Sequence, residues 1–349
     1  MRKTLLLAAL LTATPLAAQL PPPKPGDFPS PAEIVAKAPK ADWHAIDRND
    51  LLVMDLAPDA KGKPRRVVIQ LLPPPFSQGW IGNIRKLAAA HWWDGLAVVR
   101  VQDNYVTQWG DPDGEDRAKA RALPNGLVEV PQSDYVIDPI RELAKLAMKP
   151  TATAKEREMW RGYASMCSFD PAKVPKYPCP VTTGSDEHSG LTYSALEYHF
   201  GGWPFASNYT EEWPVHCYGM VGVGRDMPPN TGSGAELYTV IGHAPRQLDR
   251  NIALVGRIIE GMEHMSSLPR GHGELGFYDL AKGDERVPIV SVRLAAEVAD
   301  LPAYEYLDTE KASFARYADA RANRRDPFYI RPAGGVDVCN VPVPVRRVQ

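Results

Sequence analysis

Short runs of β-branched and aliphatic residues recur along the chain and predict strands. The first two runs, 51–56 and 66–71, are joined by the turn-like sequence D-A-K-G-K-P. The run L-A-V-V-R-V at 96–101 contains a charged residue, Arg100, among its valines. Later strands are predicted at 218–225, 235–241, 252–259 and 287–294.

Apolar residues at helical spacing predict helices at 81–91, 138–148 and 309–321, the last with Asp308 or Thr309 as its N-cap. Short strands with few helices favour a mainly β fold, a closed β-barrel, because closure removes exposed strand edges.

The composition divides the chain into segments. Residues 19–45 are rich in proline and predict an extended linker, and 46–299 form the body of the fold. A stretch at about 115–215, rich in Pro, Gly, Tyr and Trp, predicts a large irregular insertion into that body. Residues 300–349 form a C-terminal extension. The aromatic residues of the insertion are expected to pack it rather than to bind a ligand.

Bulk properties narrow the function. The 349 residues are 44% hydrophobic, which fits one large or two modest domains. A net charge of -2 lacks the excess of positive charge that is typical of nucleic-acid-binding proteins, so no nucleic-acid partner is expected.

The first 18 residues have the pattern of a signal peptide. Arg2 and Lys3 precede the apolar run 5–11, and Ala17 and Ala18 offer a cleavage site. The run is too short to span a bilayer. We therefore expect an exported protein, periplasmic or extracellular, without a membrane span after cleavage.

Four cysteines allow two disulfides in three connectivities, or four free thiols. Cys167 and Cys179 flank a Pro-rich loop, which favours a local pair. That pairing leaves Cys217 to join the body to the C-terminal extension through Cys339.

Sequence patterns for metal or nucleotide chemistry are weak. Neither His264 with His272 nor His199 with His216 has a recognised metal-ligand spacing, so no metal is expected. The glycines of 219–226 are followed by Pro228, which blocks the helix that a phosphate-binding loop needs. No cofactor is predicted.

Two ordered blocks resemble a known family. The sequence W-D-G-L-A-V-V-R-V-Q-D-N-Y-V-T-Q-W-G-D-P (93–112) is similar to the Y-D-G-x-x-F-H-R-V-x-x-x-F-x-x-Q-G-G-D-P motif of the cyclophilins, the β-barrel peptidyl-prolyl cis-trans isomerases. The block N-T-G-S-G-A-E-L-Y-T-V-I (230–241), followed by L-D and V-G-R-I-I-E-G-M, is similar to their second motif. The resemblance covers roughly 50–114 and 216–298 and implies an eight-stranded antiparallel barrel capped by helices.

The resemblance also implies roles for individual residues. Arg100 matches the arginine that hydrogen-bonds near the prolyl nitrogen, and Gln108 the glutamine that holds it. The residues that correspond to the substrate-binding groove of the family are Tyr105, Val106, Gly224, Arg225, Glu236, Tyr238 and Leu248.

Several positions depart from the family pattern. Val98 and Val99 replace an aromatic residue and a histidine, and Glu236 replaces a glutamine. Tyr238 replaces a phenylalanine, and Ile252 replaces a later histidine of the pocket. A carboxylate at 236 is expected to pair with Arg100 and to compete with substrate.

The function that this implies is cis-trans isomerisation of X-Pro bonds in proline-containing segments of exported client proteins. The alternative is a catalytically weak cyclophilin-fold module that binds or scaffolds peptides. The Arg100–Gln108 pair favours the enzyme, because a pure scaffold does not need it.

Overall fold

The structure is a computed structural model and describes residues 28–138 and 193–348. The predicted signal peptide, the first part of the linker, nearly all of the helix at 138–148, and both Cys167 and Cys179 lie outside these residues. In the described residues, no helix is long and apolar enough to cross a membrane.

Eight strands close into an antiparallel barrel, which confirms the predicted fold. Their bounds are β2 (Leu51–Leu56), β3 (Arg65–Leu71), β4 (Ala97–Val101), β5 (Val106–Gly110), β9 (Met220–Val223), β10 (Leu237–Val240), β11 (Leu254–Glu260) and β12 (Val287–Leu294). They are hydrogen-bonded in the order β10-β5-β4-β12-β2-β3-β11-β9, and β9 pairs with β10 to complete the ring.

The other described strands are β1 (Trp43–Ala45), β6 (Leu196–Phe200), β7 (Trp203–Ser207), β8 (Glu212–Pro214), β13 (Tyr304–Leu307) and β14 (Val345–Arg347). The described α-helices are α1 (Pro31–Ala36), α2 (Gln78–Ala89), α3 (Met262–Ser266) and α4 (Ala312–Ala322). Short 3₁₀ helices include Gln132–Tyr135, Arg246–Leu248 and Glu274–Gly276.

The barrel interior is filled by alternate residues of its strands, among them Leu52 and Met54 on β2 and Val67 and Ile69 on β3. Helix α2 completes this core, since Trp80, Ile81, Ile84 and Leu87 on one face of the helix are buried against it. The observed helix begins three residues before the predicted one.

A β-bulge in β4 decides where Arg100 points. Val98 pairs with Trp109 and Arg100 pairs with Gln108, so β4 has one more residue than β5 between these two pairs. Val98 and Val101, three residues apart, are therefore both fully buried in the core. Simple alternation along an unbroken strand would not place both of them inside, because side chains alternate faces every residue.

The insertion contains a three-stranded antiparallel sheet, β6-β7-β8, where the sequence predicted irregular loop. The described aromatic residues on these strands are buried, as expected of packing groups: Tyr198, Phe200, Trp203, Phe205 and Trp213. Phe205 stacks on Phe76 at 4.6 Å between ring centroids, which fixes the sheet to the barrel. The sequence did not predict these strands because Pro204 and Pro214 lie within them, and proline is uncommon inside strands.

The two ends of the described chain pack together. Strand β13 pairs with β1 and β14, so part of the predicted 19–45 linker is folded rather than extended. Ser30 caps α1, with Glu33 completing a capping box. The N-cap of α4 is Lys311, so the predicted N-cap is wrong: Thr309 accepts a hydrogen bond from the Gly202 amide at 3.1 Å instead.

A disulfide joins Cys217 to Cys339 with their Cα atoms 4.9 Å apart. It ties the segment between β8 and β9 to the C-terminal extension, as one of the sequence-derived connectivities predicted.

Candidate active site

Arg100 is half-buried, and the protein itself holds its guanidinium. Its Nε donates to the Leu275 carbonyl at 2.7 Å, and Nη1 donates to Gln108 Oε1 at 3.3 Å. Nη2 donates to Gln102 Oε1. Burial lowers the pKa of Arg100, yet an arginine still remains protonated at neutral pH.

Two aromatic rings flank this cation. The guanidinium carbon lies 5.5 Å from the centroid of Tyr105 and 5.3 Å from that of Phe277. Both distances fit a cation–π contact. The sequence predicted Tyr105 but missed Gln102, Leu275 and Phe277, because the last two lie in a loop far along the chain and pack on β4 only in the folded protein.

The loop before β12 is attached to β4 along its length. The Gly271 amide donates to the Val101 carbonyl at 3.0 Å, and the Tyr278 amide donates to the Val99 carbonyl at 2.9 Å. Gly276 has φ +80°, and a Cβ there would lie 2.7 Å from the Cα of Gln102. This close approach requires glycine and brings Leu275 and Phe277 to Arg100.

Gln108 stands between Arg100 and Glu236. Its side-chain oxygen accepts from Arg100, and its amide donates to the Glu236 carboxylate. Glu236 Oε1 also accepts from the Asp111 amide at 2.7 Å. In the described residues, Glu236 therefore bonds to Gln108 and the Asp111 backbone rather than pairing with Arg100, which corrects the sequence-based expectation.

Burial raises the pKa of Glu236 to about 7. The carboxylates of Asp111 and Glu115 add to the rise, while the hydrogen bonds from the Asp111 amide and Gln108 oppose it. Glu236 thus titrates in the neutral range next to the residue that holds Arg100.

An apolar cluster adjoins Arg100; it contains residues that the cyclophilin resemblance assigns to the proline pocket and is called the proline pocket here. Val106, Tyr238 and Val240 form a separate buried cluster, against which Tyr105, Leu248 and Ile252 pack while remaining partly exposed. Tyr105 contacts both this cluster and the guanidinium, so it joins the cation to the pocket. Four of the sequence-predicted groove residues, Tyr105, Val106, Tyr238 and Leu248, are brought together here.

Gly224 and Arg225 lie at the end of β9, beyond the pocket. The Gly224 amide donates to the Glu236 carbonyl at 2.8 Å. The Arg225 guanidinium donates to the Asn251 carbonyl from Nε at 3.0 Å and from Nη2 at 2.8 Å. Arg225 therefore braces the segment next to Ile252, a wall of the pocket.

A buried polar network lies behind the pocket, and the sequence did not predict it. His216 lies 2.8 Å from both Asp249 and the Tyr238 hydroxyl, through opposite ring nitrogens. The two partners of His216 are thus side chains of the protein, Asp249 and Tyr238. Among the described residues, no group of three or more His, Cys, Asp or Glu side chains is placed to hold a metal ion.

The family model described as "Cyclophilin type peptidyl-prolyl cis-trans isomerase/CLD" matches residues 80–293, more than half of the chain. A comparison with curated proteins finds no significant match.

Among solved structures, the chain is similar to the cyclophilin AquaCyp293 from Hirschia baltica, with a TM-score of 0.53 and 19% identity over 88% of this chain and 94% of that one. It is also similar to a cyclophilin-type peptidyl-prolyl cis-trans isomerase of Cryptosporidium parvum, solved in the presence of the dipeptide Ala-Pro. That match has a TM-score of 0.34 and 9% identity, and covers 69% of this chain and 98% of that one. On its barrel and the matched family model, the chain belongs to the cyclophilin-type peptidyl-prolyl cis-trans isomerases.

Proposed function

We propose that this protein isomerises X-Pro peptide bonds, with Arg100 as its catalytic residue. The observation that carries the proposal is the position of a fixed guanidinium beside an apolar pocket, the two joined by Tyr105. A proline ring suits such a pocket, and the cation then lies next to the prolyl nitrogen.

The chemistry needs no nucleophile. Amide resonance, which places the nitrogen lone pair in the carbonyl, gives X-Pro rotation a barrier of about 18–20 kcal/mol. When the bond twists, the lone pair localises on nitrogen and becomes a hydrogen-bond acceptor. An N–H of Arg100 that donates to it stabilises the twisted state more than either planar state, which lowers the barrier.

The hydrogen bonds of Arg100 fit this role. A guanidinium has five N–H donors, and three of them donate within the part of the chain that the structure describes. Two therefore remain for the substrate, while the other three hold the group in place. A preorganised donor avoids the cost of reorientation during the reaction.

We propose further that the clients are exported proteins. The Cys217–Cys339 disulfide supports this, since disulfides persist in oxidising compartments and are rare in the cytosol. Cell fractionation with thiol labelling tests the proposal: it fails if the protein is found in the cytosol with both cysteines reduced.

The first prediction tests the enzyme itself. Arg100→Ala should lower kcat/KM on a short X-Pro peptide by about 100-fold, as expected for the loss of a donor to a developing lone pair. A protease-coupled assay measures this. Arg85→Ala is the control, because Arg85 is an arginine of α2 whose partners are Asn49 and Asp50.

If wild type does not isomerise the peptide above the uncatalysed rate, the enzyme proposal fails. Retained peptide binding would then support a cyclophilin-fold binding module.

A further inference from the structure

Four buried ionisable side chains lie directly behind the proline pocket. Glu197, His216, Arg246 and Asp249 are each at most 4% exposed. Arg246 Nη1 lies 2.7 Å from Glu197 Oε1, and its Nε donates to Asp249 Oδ2 at 2.6 Å. Desolvating so many charges is costly unless each is paired, and these pairs form one continuous chain.

Proton positions along this chain follow from its chemistry. Asp249 Oδ1 accepts from the His216 amide at 3.0 Å and lies 2.8 Å from Nδ1. A carboxylate can only accept, so Nδ1 carries a proton, and in the tautomer protonated at Nδ1 alone Nε2 is an acceptor. In that tautomer the Tyr238 hydroxyl, 2.8 Å from Nε2, is the donor. Burial raises the pKa of Tyr238 well above its usual value, which keeps that hydroxyl protonated.

The tyrosine ring is confined as well as tethered. A Cβ at Gly222, opposite Tyr238 on β9, would lie 2.3 Å from the Tyr238 hydroxyl. The Tyr238 and His216 rings lie nearly parallel, with 8° between their planes. Gly222 thus makes room for a hydroxylated ring, and His216 fixes that ring in the space.

We propose that His216 is a positioning residue of the active site, which fixes Tyr238 as the floor of the proline pocket and is itself held by Asp249 and Arg246. This inference rests on the proposed isomerase function, since it concerns the pocket that would receive proline. Glu197 lies on β6, so the network also joins the insertion to the pocket. The insertion is therefore part of the machinery that shapes the substrate site.

The test is a double-mutant cycle in the full chain. Tyr238→Phe and His216→Ala should each raise KM for an X-Pro peptide about five-fold, the factor that corresponds to the free energy of one hydrogen bond. Their kcat should change by less than about two-fold, because a pocket floor contacts ground and transition states alike. The double variant should also show about a five-fold rise, rather than the roughly 25-fold of independent sites.

Tyr317→Phe is the matched control. It removes the hydroxyl of a buried tyrosine on α4, which donates to the Pro342 carbonyl at 2.7 Å in the C-terminal extension, outside the network. It should lower stability and leave KM unchanged. Nitrogen-15 NMR of the histidines supplies a readout independent of turnover: wild type should show His216 protonated at Nδ1, and Tyr238→Phe should shift its Nε2 signal.

The possible failures are distinguishable. A wild type that binds the peptide without turnover overturns the proposed function. The same double-mutant cycle, measured as the Kd of the peptide, then tests whether His216 positions Tyr238. Additive effects of the two substitutions, an unchanged KM and Kd, or a His216 ring protonated at Nε2 would each overturn the positioning role.

Discussion

At the scale of single residues, the candidate site depends on how the protein holds one cation, Arg100. Arg100 donates to Gln102, Gln108 and Leu275, and Gln108 is in turn held by Glu236. Gln108 can present its oxygen to Arg100 only while its amide is directed to Glu236. The protonation of Glu236 therefore bears on the orientation of both.

We expect kcat/KM to rise with pH through about 7, the pKa to which burial raises Glu236. The ionised carboxylate accepts from the Gln108 amide and keeps the Gln108 oxygen on Arg100. The protonated carboxyl instead offers a donor that competes for that oxygen. A pH–rate profile should show this step in wild type and lose it in Glu236→Gln.

Glu212→Gln is the control, because burial raises the pKa of Glu212 to about 8 in the insertion sheet. That substitution should leave the step in activity in place. A step that persists in Glu236→Gln would contradict the assignment.

Burial of Glu236 also affects stability. Its folded pKa of about 7 lies above its usual value of 4.5, so the folded state holds the proton more tightly. Its contribution to stability is therefore fully present below about pH 4.5 and is lost as pH rises through about 7. Urea unfolding of wild type and Glu236→Gln across this range should show a steeper decline in wild type, because the buried Glu212, with a pKa raised to about 8, contributes a decline to both proteins.

At the scale of elements, two irregularities build the site. The bulge in β4 sets Arg100 opposite Gln108, and the loop before β12 lies against β4 so closely that only glycine fits at 276. A regular strand with a short connection would supply neither the direction of Arg100 nor the carbonyl of Leu275.

Gly276→Ala should therefore impair activity and stability together. Its φ of +80° and its approach to Gln102 both oppose a Cβ, so the loop must move away from β4. We expect a loss of about 1–3 kcal/mol in unfolding free energy. We also expect a fall of about ten-fold in kcat/KM as Leu275 and Phe277 leave Arg100.

Gly283→Ala is matched to this variant. Gly283 has φ +85°, but a Cβ there meets nothing within 4 Å. Urea unfolding should show the cost of the left-handed backbone in both variants and the added cost of the clash with Gln102 in Gly276→Ala, and only Gly276→Ala should lose activity. Equal activities would contradict the role of the loop.

At the scale of the whole molecule, the insertion and the C-terminal extension are both joined to the barrel. The Arg257 guanidinium of β11 donates to the Gly202 carbonyl of the insertion at 2.7 Å. The Cys217–Cys339 disulfide closes a sequence separation of 122 residues. Closure of so long a loop restricts the unfolded chain more than the folded one.

Removal of the disulfide by Cys217→Ser with Cys339→Ser should lower the unfolding free energy by about 2–5 kcal/mol. Urea unfolding of the variant and of reduced wild type should give similar midpoints. A variant as stable as oxidised wild type would show that the bond does not contribute.

The sequence by itself determined the barrel, and its resemblance to the cyclophilins singled out Arg100, Gln108 and four residues of the apolar cluster, which the folded chain brings together. These depend on local signals: strand runs set by side-chain alternation, and two ordered motifs within short stretches of chain. The Cys217–Cys339 pair was also among the connectivities that the sequence allowed.

The tertiary structure decided what surrounds those residues. Leu275 and Phe277 contact Arg100 from a loop more than 170 positions away in the sequence. His216 lies within hydrogen-bond distance of the Tyr238 hydroxyl. Glu236 bonds to Gln108 and to the Asp111 amide instead of Arg100, because the turn that follows β5 brings that amide to its carboxylate. Such contacts depend on the register and closure of the barrel, which no local pattern of residues encodes.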